Sequence, residues 1–276
     1  MLKRLAGNAV RAVSESLGEA PWLQRMAGRL HDQAEHLLPV LGKLASKPLT
    51  IGGFRPPTVD TTLTADEQKI VDEFHCLYYR RWQEGKATID LSFMGYQTLK
   101  CPMDMWIYQE LLFEQQPDFI IECGTHKGGS AYYFAAICQL LGKGRVLSID
   151  IEEYPDRPQH DRITYLRGMS TEPQIVDQVR ALVGPARNVL VILDSCHTKN
   201  NVLSELQVYK DFVPVGGSLI VEDTNIYGHP VRPELGPGPM EALDEWLPTN
   251  PNFVIDSSRE RFLMTLFPRG FLRRIA

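Results

Sequence analysis

The sequence predicts an α/β fold built on a doubly wound, mostly parallel sheet, preceded by a helical arm. Three observations predict it. Four compact apolar runs, FIIEC, RVLSIDI, NVLVILD and SLIVED, lack polar alternation and so suit strands covered on both faces. Segments of helical period separate them, which gives the order β-α-β-α-β. A glycine-rich turn, ECGTHKGGSA, follows the first run directly, where a strand hands over to a helix.

The elements follow in order. Residues 1–60 place apolar side chains at helical spacing, with Lys3, Arg4, Arg11, Arg25 and Arg29 on the polar side, and end in the Pro/Gly/Thr-rich linker KPLTIGGFRPPTVDTT. Glu15, Glu19, Asp32 and Glu35 dilute the basic face, so the expectation is an arm packed on its own domain or on a second subunit, with peripheral membrane contact as the alternative. Residues 61–276 form the main domain. It opens with a capping box, Thr64 and Glu67, ahead of the helix ADEQKIVDEFHCLYYRRW, and a second helix starts at Pro102. Strands and helices then alternate: SAYYFAAICQLLG after the first strand, PQIVDQVRALVG before the third, VLSELQVYKDFVP before the fourth, and a last helix from Pro239.

Composition narrows the partners. A chain of 276 residues with 43% hydrophobic content buries a substantial core, and a net charge of −5 gives no general attraction for nucleic acid. The five cysteines are scattered without a C-x-x-C pair, and no apolar stretch has the length of a membrane span, so a cytoplasmic setting is expected.

Right-handed crossovers bring the carboxyl ends of the strands to one edge, where ligands bind, so the residues that end them matter most. In the turn, Glu122 precedes Gly124, and Gly128, Gly129 and Ser130 follow, unlike the spacing of the dinucleotide fingerprint. An acid before the turn repels a pyrophosphate but suits an ammonium or sulfonium group, and S-adenosylmethionine carries both. Asp150 ends the second strand, where a carboxylate accepts hydrogen bonds from ribose hydroxyls. NAD would use the same ribose contact; the first acid and the glycine spacing favour S-adenosylmethionine.

Asp194 ends the third strand, and Glu222 and Asp223 end the fourth. Three carboxylates with no lysine or arginine in the same motifs repel one another unless a cation lies between them, and hard oxygen ligands point to Mg²⁺, or Mn²⁺ or Ca²⁺. His197, three residues past Asp194, overhangs the same edge and is the natural general base for a hydroxyl. The run YYRRW, residues 78–82, reads as a helix with one buried face; contact with a saccharide is the alternative.

Together, ECGTHKGGSA, SIDIE, LDSCH, VEDTN, GHPVRPELGPGPMEA and RFLMTLFPRGFLRRI resemble the cephalosporin hydroxylase and rhamnosyl O-methyltransferase family, from about Tyr96 to the C-terminus. The resemblance implies a Rossmann-like class I, S-adenosylmethionine-dependent and Mg²⁺-dependent sugar O-methyltransferase. It implies cofactor binding by Glu122, Gly124, Ser130 and Asp150, metal binding by Asp194, Glu222 and Asp223, and His197 as the base. The expected acceptor is a sugar hydroxyl of a saccharide, glycolipid or glycosylated natural product, and a homo-oligomer is expected. A nicotinamide-dependent oxidoreductase acting on a sugar and a non-catalytic α/β scaffold are the rival readings. The ending TLFPRGFLRR departs slightly from the family's usual form.

Overall fold

In a computed structural model of the chain, residues 60–85 and 90–276 are described; the arm expected over residues 1–60 lies outside them, but for residue 60. Helix α1 (Ala65–Gln83) begins at the expected capping box: Thr64 Oγ1 accepts from the Glu67 amide at 3.3 Å, and Glu67 Oε2 accepts from the Thr64 amide at 2.8 Å. Such a cap stabilises a helix by about 1 kcal/mol. A two-stranded antiparallel hairpin follows, β1 (Asp90–Phe93) and β2 (Tyr96–Leu99), turning through Met94 and Gly95, both at positive φ.

The main sheet contains β3 (Phe119–Cys123), β4 (Arg145–Asp150), β5 (Ile163–Arg167), β6 (Val189–Leu193), β7 (Ser218–Val221), β8 (Phe253–Ile255) and β9 (Phe271–Arg274), in the order β5-β4-β3-β6-β7-β9-β8. The first five are mutually parallel, while β9 runs antiparallel to both β7 and β8. The chain starts at β3, winds outward through β4 and β5, and returns to β6 and β7 on the other side. The reversal between β3 and β6 creates the crevice in which open α/β sheets bind ligands.

Helices cover both faces: α2 (Pro102–Gln115) and α3 (Gly129–Leu141) on one, α4 (Pro173–Val183), α5 (Lys199–Tyr209) and α6 (Pro239–Trp246) on the other. The period of two along a strand sorts the core accordingly. Ile120, Val146, Leu190, Ile192 and Ile220 pack with Tyr108, Leu112 and Phe134, whereas Ile121, Leu147, Val191, Leu193 and Val221 pack with Val179, Leu206 and Trp246. The strands are apolar on both sides because each side has a core to fill. Three strands of this sheet escape the sequence reading: β5, whose ITYLR mixes polar and apolar residues and is only partly buried, and the short β8 and β9.

Candidate functional site

The glycine turn is shaped first by close packing. Gly124 has φ 88°, and a Cβ there would stand 1.9 Å from the carbonyl oxygen of Asp194, so the chain leaving β3 passes directly over the chain leaving β6. Gly129 opens α3 against β2, with Gln97 O only 2.0 Å from its would-be Cβ. The turn amides of Thr125 and His126 donate to Asp150 Oδ2 at 3.0 and 2.7 Å, and Arg157 Nη2 lies 3.2 Å from the same oxygen. Asp150 thus fastens the turn to the end of β4; its Oδ1 accepts from the Glu152 amide at 2.9 Å.

A cavity of about 630 Å³ opens over this edge. Gly124, Ser130 and Asp150 border it, together with residues 168–170 after β5, residues 194–197 after β6, and Asp223. Its volume suits a small-molecule cofactor. Glu122 does not border it. Its carboxylate shares the side of β3 that carries Ile120, is fully buried, and accepts from Ser148 Oγ at 2.6 Å. Burial pushes it up from the usual carboxylate range, against the opposing charge of Lys100. Alternation along the strand turns Glu122 beneath the turn rather than into the cavity lining.

The acids at the ends of β6 and β7 divide in the same way. Asp194 and Asp223 converge on His197, whose Nε2 lies 3.5 Å from Asp194 Oδ1 and 3.3 Å from Asp223 Oδ2. These three side chains offer ligand atoms all within 4.8 Å of one another. The Nε2 atom is buried and makes no hydrogen bond, which is costly unless a further group completes the site. Two hard carboxylates and an imidazole form a donor set that fits Mg²⁺ or Mn²⁺. Asp223 holds its position at φ 55°, a strained conformation for a non-glycine residue.

Glu222 points the other way. Its Oε1 accepts from Lys100 Nζ at 2.7 Å and from the Tyr108 hydroxyl at 2.5 Å, while Lys100 Nζ also lies 2.5 Å from Asp194 Oδ2. Lys100 arrives from the segment after β2, outside the strand-end motifs, and so places an ammonium between two of the acids. Burial pushes Glu222 up to about 8, with the Asp194 charge adding to it. Burial also opposes the ionised form of Asp194, but Lys100 and His197 outweigh it and hold that carboxyl low. For His197, burial is outweighed by Asp223 and Asp194, which lift it to about 9.

Sequence reasoning missed one further member of the edge. Glu205 of α5 is 1% exposed, and its Oε1 accepts from the hydroxyls of both Ser170 and Ser195, the latter at 2.6 Å. Asn201 Nδ2 donates to Ser195 Oγ and to the Cys196 carbonyl, each at 3.0 Å, and the Tyr209 hydroxyl donates to the Ser170 carbonyl at 2.6 Å. A glutamate inside a helix flanked by Leu203 and Leu206 was the available signal.

Comparison with known proteins identifies the family. Rhamnosyl O-methyltransferases of Mycobacterium tuberculosis and Mycobacterium leprae are 39% and 38% identical over 213 residues, covering 74% of this chain and 85% and 90% of theirs. A structure of CmcI with Mg and SAM superposes with a TM-score of 0.53 at 22% identity, over 83% of this chain and 90% of that one, and so shares the fold. Residues 86–275 match the family described as Rhamnosyl O-methyltransferase/CmcI, and the chain belongs to that family.

Proposed function

We propose that this S-adenosylmethionine-dependent O-methyltransferase methylates a sugar hydroxyl of a saccharide, glycolipid or glycosylated natural product. In this reading Asp194 and Asp223 hold a divalent cation and His197 is the general base. One observation carries it: Asp194, Asp223 and His197 converge on the wall of a cavity sized for the cofactor. The names of the mycobacterial relatives support a rhamnosyl acceptor. Glu222, the third acid expected to hold the cation, shares Lys100 with Asp194.

An alcohol is a poor nucleophile at neutral pH. When bound, S-adenosylmethionine supplies an electrophilic methyl group, and Mg²⁺ or Mn²⁺ supplies positive charge that acidifies a neighbouring hydroxyl. The chain's own part is to orient and to take the proton. Residues 124–126, Asp150 and residues 168–170 would enclose the cofactor, and Ser130 would border it from the first turn of α3. Nε2 of His197 is the atom that receives the hydroxyl proton. It does so as neutral imidazole, which is favoured when the charges of Asp194 and Asp223 are neutralised, since those charges raise it.

The three-residue cluster favours a second reading, in which His197 is itself a cation ligand. His197→Ala separates the two. As a base, its loss lowers kcat by about 10²- to 10⁴-fold and leaves Mn²⁺ affinity by calorimetry unchanged; as a ligand, the affinity falls too. The overall reading is tested by offering methyl glycosides with labelled S-adenosylmethionine and Mg²⁺, read by mass spectrometry. Transfer undiminished by excess EDTA would remove the cation from the proposal.

A further inference from the structure

Asp223 and His197 border the cofactor cavity. Two segments next to them lie outside the cavity lining, the middle of α1 and the loop of residues 225–238, whose Ile226 amide donates to the Asp223 carbonyl at 3.3 Å and whose Pro237 carbonyl accepts from the Lys199 amide at 3.2 Å. They are built onto each other. Asn225 Nδ2 lies 2.9 Å from the buried His75 Nε2, Cys76 Sγ donates to the Pro230 carbonyl at 3.6 Å, and within the loop Val231 N donates to Asn225 O at 3.1 Å. His229 Nε2 pairs with Glu241 Oε1 of α6 at 2.6 Å, which anchors the loop's far end.

This braced loop holds two non-glycine residues in the left-handed region, Tyr227 at φ 63° and Arg232 at φ 55°. A bulky side chain there costs conformational energy that a glycine would avoid, and such strain concentrates at ligand sites. The Tyr227 ring packs against Gly238, where a Cβ would stand 2.1 Å from its Cδ2 and 3.3 Å from the carbonyl oxygen of His197. The ring is therefore one residue's width from His197. Arg232 shares a hydrogen bond with the Tyr79 hydroxyl of α1, and Tyr79 stacks edge-on with Trp82 at 5.3 Å. Tyr79 lies one helical turn beyond His75 and Cys76, the residues of α1 that hold the loop leaving Asp223, and burial first and the Asp223 charge second raise its hydroxyl. All three side chains are only partly buried.

We propose that Tyr227 and Tyr79, linked through Arg232, form the acceptor subsite, on which the apolar C–H face of a pyranose ring lies while its hydroxyl reaches Asp223 and His197. This rests on the sugar methyltransferase reading. Aromatic faces supply area at small entropic cost, and Arg232 supplies donors for the remaining hydroxyls. The saccharide alternative for YYRRW thereby acquires one residue, Tyr79.

The test uses the full chain with a series of methyl glycosides, methyl rhamnoside included, and the variants Tyr79→Ala, Tyr227→Ala and Tyr227→Gly. Acceptor KM is expected to rise roughly tenfold or more in each, with S-adenosylhomocysteine affinity by calorimetry within about twofold of the parent. Tyr227→Gly relieves the positive φ, so a loss of acceptor affinity in a variant that melts no lower than Tyr227→Ala is not a folding defect. Tyr227→Phe keeps the ring and is expected to keep most of the affinity. Unchanged acceptor KM in the three variants, with transfer intact in the parent, overturns the subsite and leaves the reaction standing. Saturation-transfer NMR covers the converse: glycosides that bind the parent but not Tyr227→Ala, without methyl transfer, support the subsite and sink the reaction. Failure of the parent both to bind and to methylate any glycoside ends both.

Discussion

At the scale of single residues, Lys100 decides how the acidic edge is held together. It is 3% exposed and is the ammonium shared by Asp194 and Glu222, so its removal leaves the ionised Asp194 without its cation. Breaking a buried pair from one side costs about 3–5 kcal/mol, far more than the pair itself contributes. Lys100→Met is therefore expected to lose stability on that scale in urea denaturation, and adding Asp194→Asn to recover part of it by removing the stranded charge. A loss within the range of surface substitutions would mean that the charges are otherwise satisfied. The contrast with Asp194, Asp223 and His197 explains what was legible. Those three lie at the ends of readable strands, and topology alone gathers strand ends at one edge. Lys100 lies 94 positions before Asp194 in the chain, and no local pattern links them. The direction of Glu122 and Glu222 was equally hidden, because a strand pattern gives alternation but not which face a terminal residue takes as the chain leaves the sheet.

At the scale of elements, the parallel strands were readable because burial on both faces leaves a continuous apolar run, whereas β5, β8 and β9 lie toward the sheet margins and carry mixed sequence. The β1–β2 hairpin escaped for a different reason: its strands have four residues each, and its signal is a Met-Gly turn at positive φ rather than an apolar run. The glycine turn was located from sequence, but part of its spacing answers to packing between β3 and β6. Two substitutions separate the contributions. Gly142→Ala changes a residue at φ 72° with open space around it and is expected to cost about 1 kcal/mol, the conformational penalty alone. Gly124→Ala adds a clash with the Asp194 backbone and is expected to cost about 3 kcal/mol or more. Equal losses in thermal melts would show that the exits of β3 and β6 separate easily, and the geometry between Asp194 and the turn would then not be rigid.

At the scale of the whole molecule, Glu205 joins the loops that follow β5 and β6, and so ties the far wall of the cavity to the segment bearing Asp194 and His197. Burial raises its carboxyl to about 7, and the hydroxyls of Ser170 and Ser195 oppose the rise. An acid raised on folding contributes its full stability below the unfolded value, near 4.5, and loses it as pH climbs through the folded value. Stability should thus fall between about pH 4.5 and pH 7 through this group, by about 3 kcal/mol in all. Burial pushes the carboxyl of Asp104 up to about 7 as well, so the pH profile of the parent alone cannot be assigned. The difference between parent and Glu205→Gln can, because Asp104, Asp223 and Glu222 titrate in both proteins and cancel. The amide keeps a carbonyl to accept from both serines but carries no charge at any pH. Glu205→Gln is therefore expected to gain on the parent as pH rises from 5 to 8, measured by urea denaturation at each pH. A difference that stays constant over that range would mean that Glu205 is ionised throughout, and that the bridge between the two loops holds a charge rather than a shared proton.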